Sequence, residues 1–218
     1  MRALIRLFFG ALIVMSFTHC QSGGKDVPFE IETPYGTMKG VLYKETPKHQ
    51  ANFIKLAKQG YYDGLLFHRV IQGFMIQGGD PNSSTAQPGQ MLGDGGPGYV
   101  IDAEIGLPHF KGALAAARQG DQVNPEKKSS GSQFYIVQGQ KFEEGFLDQM
   151  AQQKGITYTP EQRKRYMEVG GYPPLDNDYT VFGAITEGLD IIDSIAAVAT
   201  DQNNRPTENI TMKIRILN

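Results

Sequence analysis

The chain has a single cysteine, no tryptophan and no large excess of either charge. One cysteine excludes an internal disulfide, so the cysteine content does not indicate whether the protein works in an oxidising compartment. The formal net charge is −2 and no basic stripe is present, so the chain offers no electrostatic track for a phosphate backbone, and we expect no nucleic-acid partner. The 218 residues are 40% hydrophobic, which is enough for one ordinary globular domain with a sizeable core.

Nucleotide and metal sites also lack support in the sequence. The glycine-rich run at residues 93–98 has neither the spacing of a dinucleotide fingerprint nor the Lys-Ser/Thr ending of a P-loop. His109 follows a proline in an expected loop, and no second histidine or carboxylate stands at metal-ligand spacing from it. We therefore expect no metal ion and no other cofactor.

The segment at residues 1–20 differs in composition from the rest of the chain. Arg2 and Arg6 flank a short leading region, and residues 7–17 form an apolar run of signal-peptide length that is too short to span a bilayer. Cys20 stands where such a segment would be cut, which resembles a bacterial lipoprotein signal whose cysteine becomes lipidated. An exported protein on the periplasmic side of a membrane, held by a lipid anchor, is therefore expected. An ordinary secretory signal with an incidental cysteine is the alternative.

The next residues predict a tether and then the start of a domain. Residues 21–27 are small and polar, as in a flexible linker, so the folded domain would cover 28–218. Alternating apolar residues on both sides of the turn at residues 34–36 predict a β-hairpin with one buried face. Thr46 and Pro47 predict the capped start of a helix that ends near Gly60, with His49 solvated early in it.

The stretch FHRVIQGFMIQGGD, residues 67–80, places one arginine among apolar residues. Its β-branched and aromatic residues are typical of a buried strand, whereas Gly73, Gly78 and Gly79 allow bends that a continuous strand would not tolerate. On composition alone, Arg69 would be a surface-facing strand residue whose stem lies along its apolar neighbours.

This stretch resembles the signature of the cyclophilin-type peptidyl-prolyl cis/trans isomerases, and three further blocks follow in the order of that family. They are GALAAAR at 112–118, GSQFYIV at 131–137 and LDNDYTVFG at 175–183. With the flanking strands, the resemblance covers residues 28–217 apart from one insertion. It implies a mainly β fold, a closed antiparallel eight-stranded barrel capped by two helices. Periodicity alone would not reveal the order of those strands.

The resemblance implies an enzyme that rotates X-Pro peptide bonds in proline-containing polypeptides and so assists the folding of exported proteins, as a monomer. Arg69 would be the catalytic donor to the twisted amide. The implied substrate contacts are Phe74, Met75, Tyr135 and Leu175 around the proline ring, Gln77 and Gln133 beside Arg69, the edge formed by Ala117 and Arg118, and Tyr179 in the place of a histidine of the eukaryotic members. A peptide-binding or chaperone module with little catalysis is the alternative, although it would have no need of Arg69.

Two further residues depart from the usual members of the family. Tyr135 replaces a common phenylalanine, so its hydroxyl must find a partner or reach water. Pro174 falls where cyclosporin-sensitive members carry a tryptophan, and this chain contains no tryptophan.

Residues 143–173 replace the short connection of a compact cyclophilin. Apolar residues recur at helical spacing up to Gly155, and residues 159–162 have the form of a capping box at the start of a second helix that ends at residues 170–171. This helical insertion is either a surface elaboration packed on the barrel or a border of the substrate groove. Beyond it, the pattern predicts an amphipathic helix around residues 189–196 and a closing strand around 210–216.

Overall fold

The computed structural model describes residues 24–87 and 89–217. The expected signal segment, Cys20 and residues 21–23 lie outside these residues. The strands are β1 Val27–Thr33, β2 Gly36–Leu42, β3 Phe67–Ile71, β4 Met75–Gly78, β5 Val100–Ile101, β6 Ala113–Ala116, β7 Ser129–Ser130, β8 Phe134–Val137, β9 Val181–Glu187 and β10 Lys213–Ile216. The α-helices are α1 Pro47–Lys58, α2 Glu144–Lys154, α3 Pro160–Glu168 and α4 Leu189–Ala196. None of the helices in the described ranges is long and apolar enough to cross a membrane.

Eight strands form one curled antiparallel sheet in the order β10-β1-β2-β9-β6-β8-β4-β3, and β5 pairs separately with β7. Its two edge strands, β3 and β10, share no ladder within the described residues. Backbone hydrogen bonds nevertheless join the residues at the start of β3 to those just before β10. Phe67 N–H donates to Ile210 O at 2.9 Å, and Met212 N–H donates to Leu65 O at 2.8 Å. The mainly β architecture with eight antiparallel strands is therefore confirmed, whereas the pairing does not confirm a fully closed barrel.

The first hairpin forms as predicted, because the alternation places every second side chain on the core face. The fully buried residues of that face are Phe29, Ile31, Met38 and Leu42. The expected tether ends earlier than predicted, since Val27 already belongs to β1. Lys25 O accepts a bond from Gln50 Nε2 at 3.1 Å, so this part of the expected tether is attached to α1.

The start of α1 differs from its prediction in two respects. Thr46 makes no side-chain cap, and its hydroxyl instead donates to Tyr43 O. His49 is not solvated but 2% exposed, with Nδ1 2.6 Å from Glu104 Oε2. The Glu104 carboxylate also accepts from the backbone N–H groups of Lys48 and His49. An acid far away in the sequence therefore caps α1 in place of Thr46, and the N-terminal end of a helix favours such a negative charge. Burial lowers the pKa of His49, although the hydrogen bond to the Glu104 carboxylate opposes that shift.

Strand β8 divides its side chains between two apolar clusters, as its alternation predicts. Phe134 and Ile136 enter the main core, beneath α1 and α4. Tyr135 and Val137 enter a second cluster on the opposite face of the sheet, together with Met75. This second cluster forms the base of the site described below.

The insertion folds as two helices with a small core of its own. Its predicted capping box is present, with Gln162 N–H donating to Thr159 Oγ1 at 3.2 Å and Thr159 N–H donating to Gln162 Oε1 at 2.9 Å. Gly155 ends α2 in the left-handed conformation, at φ 63°. The buried residues between the helices are Leu147, Met150, Tyr158 and Tyr166.

Candidate active site

Pairing between β3 and β4 places Arg69 beside Gln77. The two residues are opposite each other in the ladder, and the register shifts between Phe67 and Arg69, an irregularity of the kind that re-aims a side chain. Arg69 Nη1 donates to Gln77 Oε1 at 3.1 Å, and Gln77 Nε2 donates to Gln133 Oε1 at 3.2 Å. Arg69 is half-buried and faces a pocket, so it is not the free surface residue that composition alone suggests.

Gln133 connects this chain of hydrogen bonds to the glycine-rich loop. Its Nε2 donates to the backbone oxygens of Gly93 and Gly95, both at 2.7 Å. Fully buried Asp80 holds the same loop, because its Oδ2 accepts from Gly93 N–H at 2.6 Å. A Cβ at Gly95 would lie 2.0 Å from Asp80 Oδ1, so the loop can approach this closely only with glycine there. The sequence indicated no such role for residues 93–98, although a glycine run does permit such close approach.

A pocket of about 260 Å³ opens beside Arg69. The residues that line it are Arg69, Phe74, Met75, Gln77, Ala117, Arg118, Tyr135, Leu175 and Tyr179. Every site residue expected from the resemblance is in this set except Gln133, which lines the adjoining groove and bonds to Gln77. Four separate blocks of the sequence thus converge on one concave surface.

Six of the nine residues that line the pocket are apolar or aromatic, and three of these are aromatic. Met75 and Tyr135 form its buried floor, at 1% and 4% exposure. Tyr179 meets the Tyr135 ring edge-on, with centroids 6.0 Å apart, and Phe74 packs on Tyr172 at 4.2 Å. Tyr172 belongs to the insertion range and was missed by sequence reasoning, which predicted no contact for it.

Arg118 is held at the outer wall by its own contacts. Its guanidinium lies 4.4 Å from the Tyr179 ring centroid, and Nε donates to Asp178 O at 2.7 Å. Its Nη1 is 2.5 Å from Asp121 Oδ1. The Arg118 guanidinium therefore holds the Tyr179 ring in place.

A second groove of about 720 Å³ continues from Gln77 and Gln133 along the glycine-rich loop. Its rim carries exposed apolar side chains at Tyr99, Val100 and Val123. The groove gives an extended chain room on one side of the pocket, and the sequence did not indicate it.

Burial keeps the histidine next to Arg69 uncharged near neutral pH. His68 is 4% exposed, and neither ring nitrogen has a partner within the described residues. Burial lowers the pKa of His68 to about 4, although the nearby Asp80 charge opposes the shift. A neutral imidazole therefore lies under the loop, and the ionic donors that line the pocket are Arg69 and Arg118.

Comparison with known proteins identifies the family of the chain. The family model described as cyclophilin type peptidyl-prolyl cis-trans isomerase/CLD matches residues 28–215. The chain belongs to this family. A Staphylococcus saprophyticus protein named as a peptidyl-prolyl cis-trans isomerase is 37% identical over 192 residues, covering 87% of this chain and 90% of that protein. A Staphylococcus aureus (strain USA300) protein of the same name is 36% identical over 191 residues, covering 86% and 90%.

A longer relative and a solved structure extend the comparison. A Streptococcus pyogenes serotype M6 protein named as a bifunctional phosphatase/peptidyl-prolyl cis-trans isomerase is 38% identical over 186 residues, but the match spans only 37% of that protein. The crystal structure of a Cryptosporidium parvum cyclophilin-type isomerase matches with a TM-score of 0.66 and 27% identity, covering 89% of this chain and 99% of that one. This cyclophilin is accordingly a peptidyl-prolyl cis-trans isomerase by family, by relatives and by fold.

Proposed function

We propose that Arg69 is the catalytic residue of this isomerase and donates hydrogen bonds to the X-Pro amide as it twists. Rotation about the amide has a barrier of about 18–20 kcal/mol because resonance is lost, and the twisted form leaves a localised lone pair on the proline nitrogen. A donor that binds this form better than the planar ground state lowers the barrier. A guanidinium suits the task because it stays protonated and presents several fixed N–H groups.

The single observation that carries this proposal is the arrangement of Arg69 against an apolar pocket. Gln77 holds one guanidinium nitrogen, and Gln133 in turn holds Gln77, so the arginine is fixed beside the pocket before substrate arrives. The side chains proposed to receive the proline ring are Phe74, Met75, Tyr135 and Leu175. Preorganised donors of this kind act without reorganisation at the moment of reaction.

Proline-containing polypeptides are the proposed substrates. A Cryptosporidium parvum cyclophilin crystallised in the presence of the dipeptide Ala-Pro matches this chain with a TM-score of 0.64 and 27% identity. In this chain, Ala117 and Arg118 border both the pocket and the second groove, so they supply an edge along which the residues before proline can lie. Tyr179 lines the pocket beside Arg118, whose guanidinium lies 4.4 Å from its ring centroid.

A protease-coupled isomerisation assay on an Ala-Pro peptide, with the chain lacking residues 1–20, tests the proposal. Catalysis by the wild type that Arg69→Ala abolishes would support it. Tight peptide binding with no catalysis would favour the peptide-binding or chaperone module instead.

The proposed place of action is the periplasmic side of a bacterial membrane, where the enzyme would assist the folding of exported proteins. This proposal is supported by the charged and apolar character of residues 1–20, by Cys20 at their end and by the small polar residues that follow. The protein would be anchored through lipid on Cys20.

A further inference from the structure

A fully paired buried carboxylate lies directly behind the pocket wall. Asp176 follows the pocket residue Leu175 and is 3% exposed. Its Oδ1 accepts from the backbone N–H and from Nδ1 of His109, at 2.8 and 2.9 Å. Its Oδ2 accepts from the hydroxyls of Tyr158 and Tyr166, at 2.8 and 2.7 Å. Four donors thus meet one acid, and two of them come from the insertion.

His109 connects the Asp176 carboxylate to Tyr135 on the pocket floor. A carboxylate can only accept, so Nδ1 carries a proton, and in the neutral ring Nε2 then accepts from the Tyr135 hydroxyl at 3.0 Å. The His109 ring is fully buried and lies nearly parallel to the Tyr135 ring, at an interplanar angle of 11°. The hydroxyl that replaces the hydrogen of a phenylalanine therefore has a defined partner, and it fixes the tyrosine ring.

The tyrosines of this cluster remain donors over the ordinary pH range. Burial raises the pKa of Tyr135, Tyr158 and Tyr166, and the charge of Asp176 raises all three further. The backbone around the cluster is also closely fitted. Tyr172 N–H donates to His109 O at 2.7 Å, and a Cβ at Gly171 would lie 2.3 Å from the same oxygen.

We propose that the insertion completes the proline pocket through this cluster. Tyr158 and Tyr166 hold Asp176, Asp176 orients His109, and His109 holds the ring of Tyr135 against the substrate. These four are positioning residues for the isomerase, and the insertion is part of the enzyme's binding apparatus rather than a surface elaboration. The proposal rests on the proposed contact between Tyr135 and the proline ring.

A double-mutant cycle on the isomerase rate tests this chain of action. We expect Tyr158→Phe with Tyr166→Phe to lower kcat/KM about three- to tenfold, mainly through KM, because a loosened floor weakens the grip on the ring. Tyr135→Phe alone should cause a loss of similar size. Adding the two insertion changes to Tyr135→Phe should then cost no more, since the hydroxyl through which they act is already gone.

A matched control separates positioning from simple stability. Asp148→Asn removes the ion pair with Arg163 at 2.7 Å, which joins α2 to α3 without touching the cluster, and it should leave kcat/KM unchanged. If the double tyrosine variant does not fold, Tyr166→Phe alone carries the cycle, with thermal melting to establish folding. The ¹⁵N shifts of the His109 ring should report a protonated Nδ1 in the wild type and a changed Nε2 in Tyr135→Phe.

Two results would overturn the proposal. Additive losses across the cycle would show that the insertion does not act through Tyr135, and an equal loss in Asp148→Asn would show a merely structural effect. Failure of the proposed catalytic role is distinguishable, because it would appear as full activity of Arg69→Ala whatever the cycle gives.

Discussion

Arg69 and Gln77 lie opposite each other across β3 and β4, with Nη1 of the arginine 3.1 Å from Oε1 of the glutamine. The pairing of two neighbouring strands thus aims a guanidinium into an apolar pocket, and Gln133 continues the hydrogen bonding from Gln77 to the glycine-rich loop. The position of the Arg69 side chain therefore depends on both the sheet and the loop.

Removal of the guanidinium should abolish most of the catalysis. We expect Arg69→Ala to reduce kcat/KM about a hundredfold, since a charged donor used mainly in the transition state is worth about 3 kcal/mol. Arg69→Lys should restore little, because a point charge lacks the planar fork. The protease-coupled assay measures both, with circular dichroism to verify folding; wild-type turnover by folded Arg69→Ala would contradict the assignment.

The glycine-rich loop offers a test with a matched control one residue away. Gly95→Ala would bring a methyl group 2.0 Å from Asp80 Oδ1, so the loop must shift and release Gln133. Gly96 has no neighbour within 4 Å of the added carbon, so Gly96→Ala should leave activity unchanged. We expect a loss of about ten- to a hundredfold in kcat/KM for Gly95→Ala, as small misplacements of positioning groups produce. Equal activity of the two variants would show that the loop does not position Arg69.

Acid should destabilise the fold through His68. Its folded pKa of about 4 lies below the ordinary histidine value of 6.5, so between these two pH values the unfolded state binds a proton that the folded state does not. The free energy of unfolding should fall as pH drops from about 6.5 to about 4, by up to about 3 kcal/mol. Urea unfolding at pH 7 and pH 4.5 measures this loss. In His68→Leu, the fall in the free energy of unfolding between these two pH values should be smaller than in the wild type by the contribution of His68. An identical fall in the variant and the wild type would exclude His68 as the cause.

Cyclosporin should inhibit this cyclophilin weakly. Pro174 stands where sensitive members carry a tryptophan, and it lies in a short 3₁₀ turn, Pro173–Leu175, at the end of the insertion. Proline has no indole N–H, so the complex lacks a hydrogen bond worth about 1 kcal/mol together with aromatic contact. A titration of the isomerase activity with the drug measures the affinity. Tight inhibition would indicate that another residue supplies the contacts that the tryptophan makes in sensitive members.

Lipid on Cys20 should hold the mature protein on membranes. Several acyl chains anchor a protein firmly, whereas one chain does so only marginally. We expect the wild type in the membrane fraction and Cys20→Ser in the soluble fraction or unprocessed, as fractionation and immunoblotting would show. Recovery of the wild type from the soluble periplasm would instead favour an ordinary secretory signal.

Local patterns in the sequence determined much of this protein. The alternation in β1 and β2, the division of β8 between two faces and the capping box at Thr159 all follow from interactions within a few residues, so the sequence alone predicts them. The family blocks likewise indicated every residue that lines the pocket beside Arg69 before the fold was known.

Only the tertiary structure decided which buried polar groups pair. Glu104 replaces the predicted cap of α1 and buries His49, and His109, expected in a loop without a role, joins Asp176 across 67 residues of sequence. Gln133 finds the carbonyl of Gly95 in the same way. Buried polar groups must be paired, but their partners depend on the path of the chain through space, which local periodicity does not encode.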